Sequence, residues 1–404
     1  MKEGGVKPAL ILGAYMKKGT VVLLFIAMVA FGQFEVISIS EGLSEKTRER
    51  LWPVFKSGAI TINTQEMIIP DQNSLYIQSR ATPNDYTKIN LKRHKADYFT
   101  VYEATANDEI FAYAVVGSDG RFYIFERGRK TGAIQGPVLR HGLTAERMFL
   151  LEGNKLVATG AYRPELIYYL DLYKSNSIKD QIKNAKKNFD PLYINHKAYT
   201  LSVYDKYLTE IDSGNIIDRT GDNARAYEGL YLTQAVDITR DEVLYLIDND
   251  QGYVIERYTD ITVLDSSFEV VNPKYKKFPA VMTMKDMVEL RLQDRAYSVP
   301  YALYHKEGYL ISTFFQAPVR FGDIRPPYYY DISSESGKLL YSGELEYPFL
   351  CEDDGDKVFL YVKHEGGWFE ADKHFLVGVT VEDLLKDRVS KATIDASVNN
   401  LDKD

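Results

Sequence analysis

Cysteine is almost missing from this chain. Cys351 is the only one in 404 residues, so no internal disulfide can form and packing alone must hold the fold. Histidine is sparse too, at six, and no two of these stand in a His-Glu-x-x-His pair. The sequence has no Walker loop, no Rossmann glycine fingerprint and no Gly-x-Ser-x-Gly elbow, which removes the common nucleotide-binding and hydrolase readings. Basic residues are in the minority, 49 Lys and Arg against 57 Asp and Glu. That balance argues against a nucleic-acid partner, because phosphate binding needs a basic surface. Long apolar runs are scarce. The run Val21–Phe31 is shorter than the ~20 residues a bilayer-spanning helix takes.

That run has a different meaning near the N-terminus. Lys17 and Lys18 precede it, and Ala30-Phe31-Gly32 closes it with small residues three and one before Gln33. This is the pattern of a secretory signal peptide cleaved before Gln33, with Met16 as an alternative start and residues 1–15 as an extension. The expected location is therefore the periplasm or the extracellular space. Cleavage removes Lys2, Lys7, Lys17, Lys18 and Glu3, which leaves a mature chain of formal charge −11.

Tyrosine is abundant, at 31 residues, and 45% of the chain is hydrophobic, enough for a sizeable core. Aromatic and β-branched side chains suit the pleated surface of strands. One pattern recurs along the chain: an apolar strand, a short polar turn, then a strongly apolar strand. The second strands open at Leu75, Phe122, Leu156, Tyr199, Leu244, Tyr309 and Phe359. Their spacing runs from roughly 34 to 65 residues, around the ~40–50 of a four-stranded blade. Phe122-Tyr123-Ile124-Phe125 is apolar on both faces, as a strand sandwiched between sheets should be. Outer hairpins are expected at Glu210–Ile216 and from Asp331 through Gly337 to Leu340.

The expected fold is all-β: a β-propeller of six or seven four-stranded blades with a few short helices. Its organisation would be a signal peptide at 1–32, an N-terminal extension with a short helix at 33–56, the propeller at 57–380, and a C-terminal helix and tail at 381–404. Helical patterns occur at 42–56, 177–188 and 381–399, and within an insertion at 272–300 that carries Thr283, Met284, Asp286, Met287 and Val288. Segment 34–64 is expected to lend a strand to the last sheet, since an open ring would leave apolar faces bare.

These turns, the export signal and the short Asp-Ser-Gly outer turns resemble the secreted TolB-like or NHL-like propellers of Gram-negative bacteria. The resemblance spans roughly 57–380 and implies six blades and a binding or scaffolding role.

Several clusters invite a chemical reading that the residues do not complete. Asp248-Asn249-Asp250-Gln251-Gly252 begins like a calcium loop, but Thr259 stands where the bidentate glutamate belongs, so it reads as a hairpin turn. Asp353, Asp354 and Asp356 read as another acidic turn. His364 and His374 flank Trp368 and could hold a metal with Asp372, but a pair ten apart on a glycine-bearing loop reads as two surface histidines. Lys174, Lys179, Lys183, Lys186 and Lys187 read as the solvated face of a helix. No catalytic residue, metal site or cofactor is assigned.

Arginines in loops are the more informative set. Arg80, Arg127, Arg129, Arg163, Arg320 and Arg325 are expected in second-to-third-strand loops, with Arg140 and His141 opening an interblade loop. Tyr162, Phe321 and the Tyr328–Tyr330 run lie beside some of them, and Trp368 is a further aromatic candidate. Guanidinium forks match carboxylates and phosphates, and aromatic faces match sugars and peptides. The expected ligand site is therefore Arg80, Arg129, Arg140, His141, Tyr162, Arg163, Arg320, Phe321, Arg325 and Trp368. Its partner would be an anionic glycan, a peptide or a cell-envelope protein. A sialidase-like glycosidase is the enzymatic alternative, weakened by the lack of Ser-x-Asp-x-Gly-x-Thr-Trp turns. A structural scaffold without small ligand is the third reading.

Overall fold

Several strands here are buried on both faces, and that decides the architecture. In the segment Lys357–His364, every residue from Val358 to Val362 is buried, with no wet face in between. Such strands need packed sheets on either side. The computed structural model describes residues 34–39, 43, 60–71, 74–82, 85–91, 100–116, 122–140, 147–151, 154–161, 196–204, 206, 210–220, 235–239, 242–248, 253–259, 263–270, 297–317, 326–366 and 372–401.

The first strand is β1 (Glu35–Ser38). Sheet one is β2 (Thr61–Ile62), β3 (Glu66–Asp71), β4 (Ser74–Ser79) and β5 (Tyr86–Asn90). Sheet two is β6 (Thr100–Ala106), β7 (Ile110–Val116), β8 (Phe122–Gly128) and β9 (Ile134–Arg140). Sheet three is β10 (Arg147–Leu151), β11 (Lys155–Ala161), β12 (His196–Tyr204) and β13 (Glu210–Thr220). Sheet four is β14 (Ala235–Thr239), β15 (Glu242–Asp248), β16 (Tyr253–Thr259) and β17 (Val263–Val270). Sheet five is β18 (Tyr297–Lys306), β19 (Tyr309–Ala317), β20 (Tyr328–Ser334) and β21 (Leu339–Leu345). Sheet six is β22 (Phe349–Glu352), β23 (Lys357–His364) and β24 (Lys373–Thr380), completed by β1. The described residues thus form six antiparallel four-stranded sheets.

The cores lie between sheets. Ile68 and Leu75 of sheet one pack with Val101, Phe111 and Tyr113 of sheet two. Ala112 and Ile124 of sheet two meet Met148 and Leu156 of sheet three, and Leu244 and Ile255 of sheet four meet Leu303 and Phe314 of sheet five. Tyr304 and Ile311 of sheet five share a cluster with Leu360 and Val377 of sheet six. Sheet six in turn packs Phe359, Tyr361 and Leu376 against Met67, Ile69 and Tyr76 of sheet one. First strands also neighbour one another from β2 to β6 to β10, and from β14 to β18 to β22 and back to β2. Radial sheets that bury each other's faces and return to the start make an all-β propeller with few helices.

Ring closure uses the N-terminal strand, as expected. Glu35, Val36, Ile37 and Ser38 pair antiparallel with Gly378, Val377, Leu376 and Phe375. Thr61 and Ile62, the other apolar stretch of that segment, head sheet one instead and pair with Ile68 and Met67.

Two sequence expectations need correction. The seven turn-and-strand matches correspond to six sheets, because Leu156 and Tyr199 fall in adjacent strands of sheet three: β11 pairs with β12, Ala161 opposite Tyr199. The Glu210–Ile216 segment is no hairpin. It is part of the continuous strand β13, where pairing along the whole of β12 overrides the turn chemistry of Asp212-Ser213-Gly214. The hairpin through Gly337 does form, linking β20 to β21 with Gly337 at φ 81°. The Asp248–Gly252 segment likewise joins paired strands, Asp248 opposite Tyr253.

The C-terminal helical pattern is two helices, α1 (Val381–Leu385) and α2 (Lys391–Leu401). Thr380 and Asp383 cap the first reciprocally, and Asp387 at φ 53° separates the two. Leu384, Ile394 and Val398 are fully buried in the cluster shared by sheets five and six. Apart from Leu43, which is buried in a bend, the expected helix at 42–56 lies outside the described residues, as do those at 177–188 and 272–300 and the signal segment 1–32.

Candidate functional site: the arginine-bearing turns

In an antiparallel four-stranded sheet, the first-to-second and third-to-fourth turns share one end. The second-to-third turns and the links to the next sheet share the other. Arg80 directly follows β4 and Arg129 directly follows β8, each the third strand of its sheet. Both therefore stand at the third-to-fourth turns, not the second-to-third loops expected. The sequence reading took β3 and β7 as first strands, because the two-residue β2 gives almost no periodic signal and β6 was not counted. Arg127 lies within β8, opposite Phe111 and Ile134.

The two arginines occupy equivalent positions. The Arg80 backbone N–H donates to the Gln65 carbonyl at 2.9 Å, and that of Arg129 to the Glu109 carbonyl at 2.8 Å. Those carbonyls belong to first-to-second turns with one shared construction. Asn63 Oδ1 accepts from the N–H groups of Gln65 and Glu66 at 2.9 and 2.8 Å. Asn107 Oδ1 does the same for Glu109 and Ile110 at 2.9 and 3.0 Å. In sheet six, Asp353 Oδ1 accepts from Gly355 and Lys357, both at 3.0 Å. An Asx side chain thus replaces the backbone acceptor of each turn, and the acidic turn at Asp353 is structural as expected.

The side chains then reach across the gaps between sheets. Arg80 grips Glu35 of β1 with Nε to Oε1 at 2.6 Å and Nη2 to Oε2 at 2.8 Å. The same Nη2 donates to Asp353 Oδ2 at 2.9 Å, and Nη1 donates to the Asn63 carbonyl at 2.8 Å. Its guanidinium carbon lies 5.3 Å from the Phe359 ring centroid. Lys357 Nζ adds a second cation on Glu35 at 2.6 Å. Burial by itself would raise the Glu35 pKa, but the bonds from Arg80 and Lys357 outweigh it and hold the carboxyl below its ordinary value. The bond to Glu35, ahead of the opposing effect of burial, raises the Arg80 pKa.

Arg129 repeats the design one sheet along. It pairs with Glu66 of sheet one and lies 4.1 Å over the Phe111 ring. Asn107 Nδ2 donates to Asn154 Oδ1 of sheet three at 2.6 Å, and Asn154 Nδ2 donates to Glu109 Oε2 at 2.7 Å. Arg257 of sheet four donates to the Glu335 carbonyl of sheet five at 3.4 Å. Lys306 of sheet five donates to the Asp353 carbonyl at 2.5 Å and pairs with Glu352 at 3.0 Å, both in sheet six. A polar girdle thus joins neighbouring sheets at one end of the ring. Glu35, Lys306 and Asn154 in it were not singled out from sequence. The available signal was an Asn or Asp three or four positions before the start of the second strand, with an Arg just after the third strand of sheets one and two.

Of the ten expected ligand residues, Arg80 and Arg129 are brought to the same end of their sheets and engaged in these ion pairs. Arg140 closes β9 opposite Phe122, and its side chain is outside the described residues. His141, Tyr162, Arg163, Arg320, Phe321, Arg325 and Trp368 lie outside them altogether, as do the lysines of 174–187. Contrary to the surface reading, the His374 ring is buried, with Nδ1 2.6 Å from the Tyr361 hydroxyl. Asp372 pairs with Lys363 at 2.7 Å. Among the described residues no group of His, Cys, Asp and Glu is arranged to hold a metal ion, and no helix is long and apolar enough to cross a membrane.

No family model matches the sequence, and no curated protein does. Solved structures match at the level of fold. A member of the DUF4221 family from Bacteroides vulgatus is 9% identical with a TM-score of 0.50, covering 86% of this chain and 98% of its own. An N10-subtype neuraminidase-like protein of A/little yellow-shouldered bat is 11% identical with a TM-score of 0.42, covering 79% and 93%. A luciferin-regenerating enzyme is 9% identical with a TM-score of 0.43, covering 86% and 95%. At such identities only the fold carries over, and with the DUF4221 member that shared fold is the β-propeller.

Proposed function

We propose that this chain is an exported, non-catalytic six-bladed propeller that binds an anionic glycan, peptide or envelope protein at the end of the ring opposite the girdle. One observation carries the reading: Arg80 and Arg129, the candidates at the girdle end, are neutralised by Glu35, Asp353 and Glu66. Recognition then falls to the opposite end, toward which the second-to-third connections after β11 and β19 depart. Arg163, Arg320 and Arg325 are in those connections by sequence, with Tyr162 and Phe321 beside them. A partly dry, two-pronged arginine contact to a carboxylate or sulfate would supply both affinity and orientation. TolB-like or NHL-like membership would fit this role.

The same ion pairs favour a second reading, a scaffold whose arginines serve only the ring. A screen of acidic glycans and acidic peptides at two salt concentrations separates the two. The binding reading expects hits that weaken with salt and are lost when Arg163, Arg320 and Arg325 are together replaced by Ala, with folding unchanged. Hits kept equally by both proteins would remove these arginines from the site, and no hit at either salt concentration would favour the scaffold.

A further inference from the structure

The outer edges of the six sheets are not alike. Each sheet ends outward on its fourth strand, whose far side shows unpaired backbone groups unless something blunts it. Bulges blunt four of the six. β9 carries one at Gly136-Pro137, with Gly136 at φ 101°, and β13 carries two, at Ile211 and Ile216. Asp265 is the extra residue in β17, and Leu340 is the extra residue in β21. β1 is four residues long and lies beside α2. β5 has none of these devices. Tyr86–Asn90 pairs with β4 in unbroken register, from Gln78 opposite Tyr86 to Ser74 opposite Asn90. Among the described residues nothing pairs with its outer side, and every residue of it but Ile89 is exposed.

Hydrogen-bond alternation fixes which groups of β5 face outward. The Ser79 N–H donates to the Asp85 carbonyl at 2.9 Å, one step before the Gln78–Tyr86 pair. Bonded and non-bonded pairs alternate along an antiparallel ladder, so Thr87 and Ile89 bond to β4. Tyr86, Lys88 and Asn90 then direct their N–H and C=O groups to the open edge. Their side chains share one face, where the Tyr86 ring is 46% exposed and stacks on Tyr76 at 4.9 Å. Lys88 carries the only charge in the strand. Antiparallel pairing of all five residues with a second copy sets the two Lys88 side chains opposite each other, which is unfavourable. A strand with a carboxylate at that position is favoured instead, and an apolar residue two positions later meets Tyr86. We propose that β5 is a docking edge for an extended segment of a protein partner. That segment adds antiparallel as a fifth strand of sheet one and carries Asp or Glu, any residue, then an aliphatic or aromatic residue. This surface is on the outer rim and does not depend on the arginine-bearing connections assigned above.

The test is selection of a phage-displayed library of random nonapeptides on the full chain, with the recovered peptides then measured by fluorescence anisotropy. Peptides with the acid-x-apolar pattern should be enriched. Lys88→Pro removes an outward N–H without taking a bond from β4, so it should weaken those peptides about 10-fold or more while the protein still folds. Lys88→Glu keeps the backbone and should move the selection to Lys or Arg at the position of the acid. Urea denaturation checks the folding of both variants, and the charge reversal decides alone if the proline variant does not fold. An unchanged acidic preference on Lys88→Glu, equal binding to a folded Lys88→Pro, or the absence of any common pattern would overturn the proposal. A wild-type dimer that Lys88→Pro abolishes would overturn it too, by giving the edge to a second copy.

Discussion

Arg80 and Glu35 meet as a two-pronged pair across the gap between the first and last sheets, at 2.6 and 2.8 Å. The pair joins a residue just past β4 to the strand that completes sheet six, so it spans the point where the ring shuts. Backbone pairing of β1 fixes one side of that strand, and the arginine ties it to the sheet beyond.

Replacing Arg80 with Ala should therefore weaken the whole ring. It leaves Glu35 and Asp353 partly buried without their shared guanidinium, a change that costs about 3 kcal/mol in comparable sites. Arg80→Lys should recover only part of this, because one ammonium cannot reproduce the planar fork on two carboxylates. Urea denaturation measures both. A loss below about 0.5 kcal/mol for the Ala variant would show that the seam holds without the pair.

The same pair makes the seam sensitive to acid. The Glu35 carboxyl is held below its ordinary value in the folded state, so its contribution is complete above the unfolded pKa of about 4.3 and is lost as pH falls through the lower folded value. The stability gap between wild type and Glu35→Gln should be constant from pH 7 to about pH 5 and shrink as acid is added below that. Denaturation curves across that range check it, and a gap that widens in acid would contradict the assignment.

Gly343 tests the packing of sheet five. It lies opposite Tyr330, and a Cβ there would come within 2.5 Å of the ring. Gly343→Ala should cost about 1–3 kcal/mol through overpacking. Combined with Tyr330→Leu it should cost less than the sum of the two changes, because the second removes the clash. Strict additivity in the double variant would show that the ring is not what excludes the methyl group.

The C-terminal helices should matter as much as any strand. Ile394 is fully buried between sheets five and six, and Asp395 beside it accepts from the Tyr347 hydroxyl and from Lys391 at 2.5 Å. Ile394→Asp places a carboxylate in an apolar cluster and should lower stability by about 3 kcal/mol or more. Asp395→Asn, which keeps the shape, should cost about 1 kcal/mol. Thermal unfolding distinguishes them, and equal, small shifts would mean that α2 is not integral to the ring.

Much of this was legible locally. Runs such as Phe122–Phe125 and Val358–Val362 announce strands buried on both faces, and the apolar Phe34–Ile37 segment announces a closing strand. The turn at Asp353 and the hairpin through Gly337 follow from side chains that bond their own backbone. The candidate site was less legible. Arg80 and Arg129 were singled out as ligand contacts, whereas the structure engages both in ion pairs between sheets, and the end of the sheet on which they stand depends on counting strands. The two-residue β2 and the uncounted β6 upset that count for these arginines, as the long separation of β11 from β12 upset the count of sheets.

By itself, the amino-acid sequence determined that the chain folds into strands, where most turns fall, and that one N-terminal strand is left to join the last sheet. Each of these follows from alternation and turn chemistry acting within a few residues. Only the tertiary structure decided that Leu156 and Tyr199 share a sheet, that Asp212-Ser213-Gly214 stays extended, and that Arg80 bonds Asp353, 273 positions away. Those outcomes depend on which faces are buried against which neighbours, and burial between sheets is settled only when the ring is complete.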